Sequence, residues 1–457
     1  MTASARDLAL ATPPGRDRYV DLLRVASLGA VIGGHWLMAA VSGDGIGNLL
    51  ALLPGLQVLT WGLQVMPVFF FVGGFSHALS YRSLARRSDP AGSVYAAFLR
   101  ARLRRLLRPT LVFVLVWAAA ALAVQLAGHG GGRLTGAALR MVTQPLWFIG
   151  IYLAMVAFTP PLLKLHERHG WAAFAALAGA AALVDVLRFA LGVPYVEFLN
   201  FALVWLAVHQ LGFLRADGRI RRPALLAAAG LAGAVLLVAY GPYPLSMVGM
   251  PGEKVSNMAP PTLALLAHGM WLVGAVQLLA RPAAGRLDRP RVWRGVVAAN
   301  GVAMTAFLWH LTAMLGVYGA QLALGLDLPA PAGAAWWAQV PVRILAATAL
   351  TAGFVALFRR FEAAPTAPTA PAGQAAPADS RTGTAGGAGG LVAALGIALS
   401  LLGILGLSMT GLGGLLDGHS ATLIAFPVTA PVAIGMALAG ALLVERSAPA
   451  RSVRLGS

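Results

Sequence analysis

Arg24 and His35 are the residues whose types and spacing carry the most chemical content. They stand eleven residues apart in an apolar stretch. On an α-helix that spacing brings them within about 20° of one azimuth, roughly 16 Å apart along the axis. Histidine is the usual proton acceptor near neutral pH, and arginine presents a fork of donors that suits phosphate and carboxylate oxygens. Ionisable residues inside apolar stretches are costly, so each is a functional candidate by default. His268 and His310 lie in later apolar stretches. His310 falls roughly as deep as His35, in the outer half of a bilayer, about 20 Å from the cytoplasmic edge. Each of these histidines also has a plainer reading, a hydrogen bond across to another helix. Asp185 and Arg188, at i and i+3, read as a structural pair, and Asp21 with Arg24 reads equally as an interfacial salt bridge.

A second candidate is the run Leu-Arg-Ala-Arg-Leu-Arg-Arg-Leu-Leu-Arg-Pro over residues 99–109. Its arginines either mark a cytoplasmic loop or bind the phosphates of an anionic cofactor arriving from the cytoplasm. Charge density favours the loop reading.

The elements that must position these residues are membrane helices. Of 457 residues, 58% are hydrophobic and 11% charged, against about 25% charged in soluble domains. The net charge of +18 is explained by basic membrane loops and requires no nucleic-acid partner. Cysteine is absent, which excludes disulfides, thiolate nucleophiles and a Cys thioester intermediate. No metal site is expected. Residues 1–19 contain charges and no apolar core, so they read as a cytoplasmic tail rather than a cleavable signal.

Ten apolar blocks follow, at 20–42, 60–81, 107–127, 146–163, 171–191, 197–214, 223–241, 260–280, 296–320 and 335–358. Each is long enough to cross about 30 Å of hydrocarbon. The stretch 49–59, broken by Pro54, is too short to span and reads as an outer-face or re-entrant segment. Arginines collect in 82–108, 215–222 and 281–295, at Arg168 beside Lys164, and at Arg359 and Arg360. Alternating spans put all of these on one side. The positive-inside rule makes that side cytoplasmic, with the N-terminus.

Residues 361–390 are rich in Pro, Ala and Gly and read as a cytoplasmic linker. Blocks 391–409 and 421–444 then form a two-helix transmembrane hairpin, ending in a basic cytoplasmic tail at 457. The expected fold is all-α: a ten-helix transmembrane bundle over 20–360 with an appended C-terminal hairpin over 391–457.

The chain resembles acyltransferase family 3, the membrane acyltransferases that include bacterial glycan acetylases and macrolide-sugar acylases. Tyr19-Val-Asp-Leu-Leu-Arg24 with His35 is similar to the family's opening motif, a basic residue followed by His after ten others. Pro67-Val-Phe-Phe-Phe-Val-Gly-Gly-Phe75 is similar to its Phe-Phe-x-x-Ser-Gly-Phe segment, with Gly73 where Ser is usual. The arginines before Pro109 resemble an Arg-x-x-Arg motif; Arg102/Arg105 and Arg105/Arg108 both fit. Leu146–Tyr152 and Leu308-Trp-His310 resemble later segments, and 243–261 resembles an actinobacterial-type branch.

The resemblance implies transfer of an acyl group, usually acetyl from acetyl-CoA or another acyl-CoA, to a hydroxyl. The acceptor would be a glycan, a lipid-linked sugar or a secreted metabolite. It implies His35 as catalytic base, Arg24 as its helper, and Arg102, Arg105 and Arg108 as the set from which the donor's phosphates are bound. The donor is a substrate, and no permanently bound cofactor is expected. The expected location is a bacterial plasma membrane, with both termini cytoplasmic. The alternative is a secondary transporter or flippase, against which the ten-plus-two division argues. A polyprenyl-phosphate glycosyltransferase would need acidic residues in the first outer loop, where 42–59 offers Asp44 alone.

Overall fold

The computed structural model describes residues 5–13, 15–42, 45–87, 93–128, 133–250, 253–362, 385–423 and 426–447. Most of the proposed linker, 363–384, and the basic tail beyond 447 lie outside the described residues. The long helices are α1 (Arg18–Met38), α2 (Met66–Arg87), α3 (Val94–Leu126), α4 (Pro145–His169), α5 (Trp171–Phe189) and α6 (Asn200–Ala216). They continue as α7 (Pro223–Tyr240), α8 (Leu263–Leu278), α9 (Ala303–Ala323), α10 (Ala334–Phe358), α11 (Ala385–Thr410) and α12 (Ala430–Arg446).

Ten of the helical stretches among the described residues are long and apolar enough to cross a membrane. An eleventh joins them if α8 and its continuation Ala280–Leu287, bent by 49°, count as one. The molecule is an all-α polytopic membrane protein. Large apolar side chains stay exposed on the outward faces, such as Leu115 and Val116 of α3, Val235 and Leu236 of α7, and Val342 and Leu345 of α10. Such a girdle is a liability in water and the expected surface in lipid.

The centre of the body is built from α2, α4 and α6. Phe70, Phe71, Leu146, Ile149, Trp205 and Phe213 are fully buried there. The close crossing of α2 and α6 depends on two glycines. A Cβ on Gly74 would lie 2.0 Å from the carbonyl oxygen of His209, and one on Gly212 would lie 2.3 Å from that of Phe71. Small residues let membrane helices approach to backbone contact in this way.

Two strand pairs interrupt the helical pattern. β1 (Ala39–Ser42) pairs antiparallel with β2 (Gly45–Asn48) after α1, and β3 (Ser420–Leu423) with β4 (Phe426–Thr429) after α11. The start of the apolar block 421–444 is therefore strand. Pro427, which donates no backbone hydrogen bond, and Thr422, Val428 and Thr429, which are β-branched, disfavour helix there. The helix α12 that follows is 17 residues long. The segment before α2 turns through the short helices Leu49–Leu52, Pro54–Leu59 and Thr60–Leu63.

The arginine-rich segments do gather at one end. Arg82 joins Glu167 (3.1 Å) and Asp217 (2.5 Å), Arg215 joins Asp17 (2.7 Å), and Arg18 joins Asp288 (3.5 Å). Two details differ from the sequence reading. The arginines of 100–108 lie on a helix, because α3 starts at Val94, capped by Ser93 through Ala96 N. The block 296–320 is divided: Pro290–Asn300 is a separate amphipathic helix, and α9 begins at Ala303.

The C-terminal hairpin packs on the body. Gly150 of α4 receives Leu405 of α11 in close contact. Gln125 of α3 ties to Leu412 O (3.1 Å) and Leu416 N (3.0 Å), and Arg104 approaches Glu445 at 3.8 Å.

Candidate active site

Asp17 caps α1, accepting from Tyr19 N and Val20 N at 3.1 Å each. The helix then carries Arg24 and His35 on one face, as their spacing requires. At the arginine-rich end Arg24 donates to Asp21 Oδ1 (3.1 Å), Asn300 Oδ1 (3.5 Å) and Ser76 Oγ (2.9 Å). Arg102 of α3 donates to the backbone carbonyl of the same Ser76 at 3.0 Å. Arg24 and Arg105 lie near enough to repel Arg102 electrostatically. Asp21, the acidic residue among them, is shared with Arg16 at 2.6 Å. Positive charge thus exceeds negative charge around Ser76.

Arg105 and Arg108 are exposed, whereas Arg102 is half-buried. On a helix, Arg108 is rotated by about 120° from Arg102, so the two do not face one site. Arg105 senses Glu362, whose carboxylate accepts from Met304 N (3.0 Å) and Thr305 N (2.9 Å). That carboxylate caps the start of α9, the helix that carries His310.

His35 Nδ1 lies 2.8 Å from His310 Nε2, and the rings stack at 5.1 Å with 9° between planes. His310 Nδ1 in turn meets the backbone carbonyl of Phe307. A carbonyl only accepts, so His310 must carry its proton on Nδ1, leaving Nε2 as an acceptor. His35 then donates through Nδ1, and its Nε2 bears the free lone pair. His310 is fully buried, while His35 keeps accessible surface. Trp36 Nε1 donates to the carbonyl of His310 at 3.0 Å, which fixes the two helices in register. Because α9 begins at Ala303, His310 sits only about 10 Å along it. His35, its partner, stands three residues before Met38, the last residue of α1.

The stretches that carried the family resemblance converge here. Phe69 packs on Phe148 (4.8 Å) and Tyr152 (5.8 Å), and Phe148 packs on Phe307 (4.9 Å), whose ring lies 5.6 Å from His310.

The other intramembrane candidates make contacts between helices and loops. His268 donates to Trp61 O at 2.9 Å, the cross-helix bond of its plainer reading. Asp185 does not pair with Arg188. It accepts from Asn200 Nδ2 (2.8 Å), Tyr243 OH (3.0 Å) and Leu263 N (2.7 Å), tying α5 and α6 to the loop before α8. Arg188 lies instead over the Phe189 ring at 4.7 Å. These tertiary partners outcompete an i,i+3 contact, which is weak by itself.

Sequence reasoning passed over Ser76, His77, Tyr152, Thr159, His209 and Arg343. The rule applied to His35 also selects His77, His209 and Arg343, all ionisable residues in apolar blocks. Ser76 and Thr159 carry no such signal. Tyr152 OH lies 3.0 Å from His77 Nε2; Thr159 Oγ lies 3.3 Å from both His77 Nδ1 and His209 Nε2; His209 Nδ1 lies 3.2 Å from Phe70 O. Tyr152 can donate to His77, His77 to Thr159 and His209 to Phe70, while the single Thr159 proton is shared between His209 Nε2 and the Met155 carbonyl, 2.7 Å away.

Residues 17–360 match the family model of acyltransferase family 3, described as an acyltransferase domain. The chain belongs to that family and is a membrane acyltransferase. Comparison with curated proteins and with solved structures returned no match. Family membership does not favour the transporter reading.

Proposed function

We propose that the protein transfers a short acyl group, acetyl first among candidates, from acyl-CoA to a hydroxyl of a glycan, a lipid-linked sugar or a secreted metabolite. The observation that carries this reading is the His35–His310 pair, whose hydrogen bonds leave His35 Nε2 as an accessible base. The acceptor oxygen attacks the thioester carbonyl as its proton passes to His35 Nε2. The C–O bond forms, the C–S bond breaks, and the proton leaves with the thiolate as CoA thiol. His310 Nε2 receives the hydrogen bond from His35 Nδ1 throughout, which orients the ring and steadies the imidazolium.

The donor's phosphates meet the cations around Ser76: Arg102 and Arg24, with Arg105 at the exposed rim. Arg108 belongs to the outer part of the same basic end. Guanidinium groups in excess of carboxylates suit a highly anionic ligand. From Arg24 to His35 is roughly 16 Å along α1, a distance that an extended pantetheine arm covers. The arginine-rich end faces the cytoplasm of a bacterial plasma membrane, with both termini on that side. The acceptor then approaches from the other end of the bundle.

Purified protein incubated with labelled acetyl-CoA and a crude glycolipid fraction from the host provides the test. The expected result is an esterase-labile label on an acceptor, lost in His35→Ala while the variant inserts and folds. Full transfer by folded His35→Ala protein sinks the assignment.

A further inference from the structure

Arg343 is the buried cation that acyl transfer as described does not use. It lies on α10, nine residues from the end opposite the arginine-rich one, and is only 8% exposed. Nη1 donates to Tyr318 OH and Nη2 to Trp336 O, both at 2.7 Å. The guanidinium also lies 4.9 Å over the Trp336 ring and 5.3 Å over that of Tyr318. Among the described residues no carboxylate comes within ion-pair distance of it. Its Nε–H has no hydrogen-bond partner, and neither does the Nε1–H of Trp336, itself 1% exposed.

Both side chains line one cavity of about 20 Å³, together with Trp36, Met314, Tyr318 and Val340. A cavity of this size holds one or two oxygen-sized atoms. Two buried donors without acceptors, one of them cationic, border that space. An unpaired buried cation and an unsatisfied indole N–H are both costly, and an apolar pair of the same shape would fill the position at less expense. Trp36, the neighbour of His35 on α1, connects the cavity wall to the carbonyl of His310.

We infer that this cavity is a subsite for one or two oxygens of the anionic end of the acceptor, a carboxylate or a phosphate, held by Arg343 and Trp336 while a hydroxyl of the same molecule reaches His35. The inference rests on the acyl-transfer reading and adds to it that the acceptor is acidic. The cavity size restricts entry to a terminal group. Its place toward the end away from the basic donor dock assigns it to the acceptor.

The test is binding to the purified full-length protein in zwitterionic lipid nanodiscs, read by intrinsic tryptophan fluorescence. The probes are methyl β-D-glucuronide, glucose 6-phosphate and methyl β-D-glucoside. At least one anionic sugar is expected to bind tenfold or more tightly than the neutral one, and the tighter of the two identifies carboxylate or phosphate. Arg343→Gln abolishes the preference and Arg343→Lys keeps part of it. Should Arg343→Gln not fold, Trp336→Phe, which keeps the ring and removes its N–H, lowers the preference severalfold. Equal or absent binding of all three sugars overturns the inference, as does a preference left undiminished by Arg343→Gln or by Trp336→Phe. Displacement of the glucuronide by succinyl-CoA but not acetyl-CoA reassigns the cavity to the donor's acyl tail and overturns it too. Because the readout requires no acyl transfer, its failure and the failure of His35 as base are seen separately.

Discussion

Two pairs of intramembrane histidines occupy this bundle, and they differ in what is left over. In the chain from Tyr152 through His77, Thr159 and His209 to Phe70, every ring nitrogen has a partner and both histidines are fully buried. In the His35–His310 pair three of four ring nitrogens are engaged, and the fourth, His35 Nε2, is free on the residue that keeps accessible surface. Residue type is alike in the two places, and burial differs at His35 alone. On the proposed function, an unspent lone pair with access is what distinguishes a base from a strut. His166 supports the same distinction. Gln210 donates to its Nδ1 and its Nε2 donates to Asp217, each at 2.9 Å, so it too is fully engaged.

The strongest test of the contrast removes the free base. His35→Ala is expected to lower kcat by roughly 10²–10⁴-fold, the usual worth of a positioned proton acceptor. Next comes its partner: His310→Gln keeps His35 but perturbs the ring's orientation, and a loss of about 10–100-fold in kcat with KM nearly unchanged is expected, the scale of an orienting hydrogen bond. If His310→Gln is fully active, the pair is no better than two stacked rings.

At the basic end Arg102→Gln should raise KM for acyl-CoA by about tenfold, with weaker dependence on salt than the wild type shows. Unchanged KM and salt response would leave Arg102 as a brace for Ser76.

The fully engaged histidines predict the opposite behaviour. His209→Leu removes two hydrogen bonds, to the Phe70 carbonyl and to Thr159, whose hydroxyl keeps Met155 O, so thermal unfolding should reveal a loss of about 2 kcal/mol. Specific activity of the folded fraction should stay within a few fold. Complete inactivity of folded His209→Leu protein would erase the contrast between the two pairs.

The smallest effect concerns His166 and Asp217. Burial raises the Asp217 carboxyl, but hydrogen bonds from Arg82 and His166 outweigh it and hold the group below its ordinary value of 3.8. A depressed carboxyl contributes stability that is complete above that ordinary value and is lost as pH falls through the folded one. Acid melting curves should thus show a loss of about 1 kcal/mol below pH ~4 in the wild type. Asp217→Asn should lack this acid step, and an identical step in the variant would rule out Asp217 as its source.

Much of the architecture was legible before any fold was known. Apolar blocks of membrane length and arginines on alternate loops follow from transfer energies and backbone hydrogen bonding that act within about 20 residues. The shared face of Arg24 and His35 follows from helix pitch alone, and the ordered motifs marked the family. Finer boundaries were less readable where one apolar run crossed two elements. The block 296–320 joins an interfacial helix to α9, and 421–444 joins a strand pair to α12.

What tertiary structure alone decided is which groups meet. His35 and His310 lie 275 residues apart, and no periodicity links them. Their contact, and with it the tautomer that frees His35 Nε2, depends on α1 and α9 packing side by side. The convergence of Arg24 and Arg102 on Ser76, the capture of Asp185 by Asn200 and Tyr243, and the partnerless Nε of Arg343 have the same origin. Helix formation and membrane insertion are local events that a sequence records directly. Pairing among a dozen helices is settled by steric fit at sites such as Gly74 and Gly212, and by the satisfaction of polar groups that have no water to turn to.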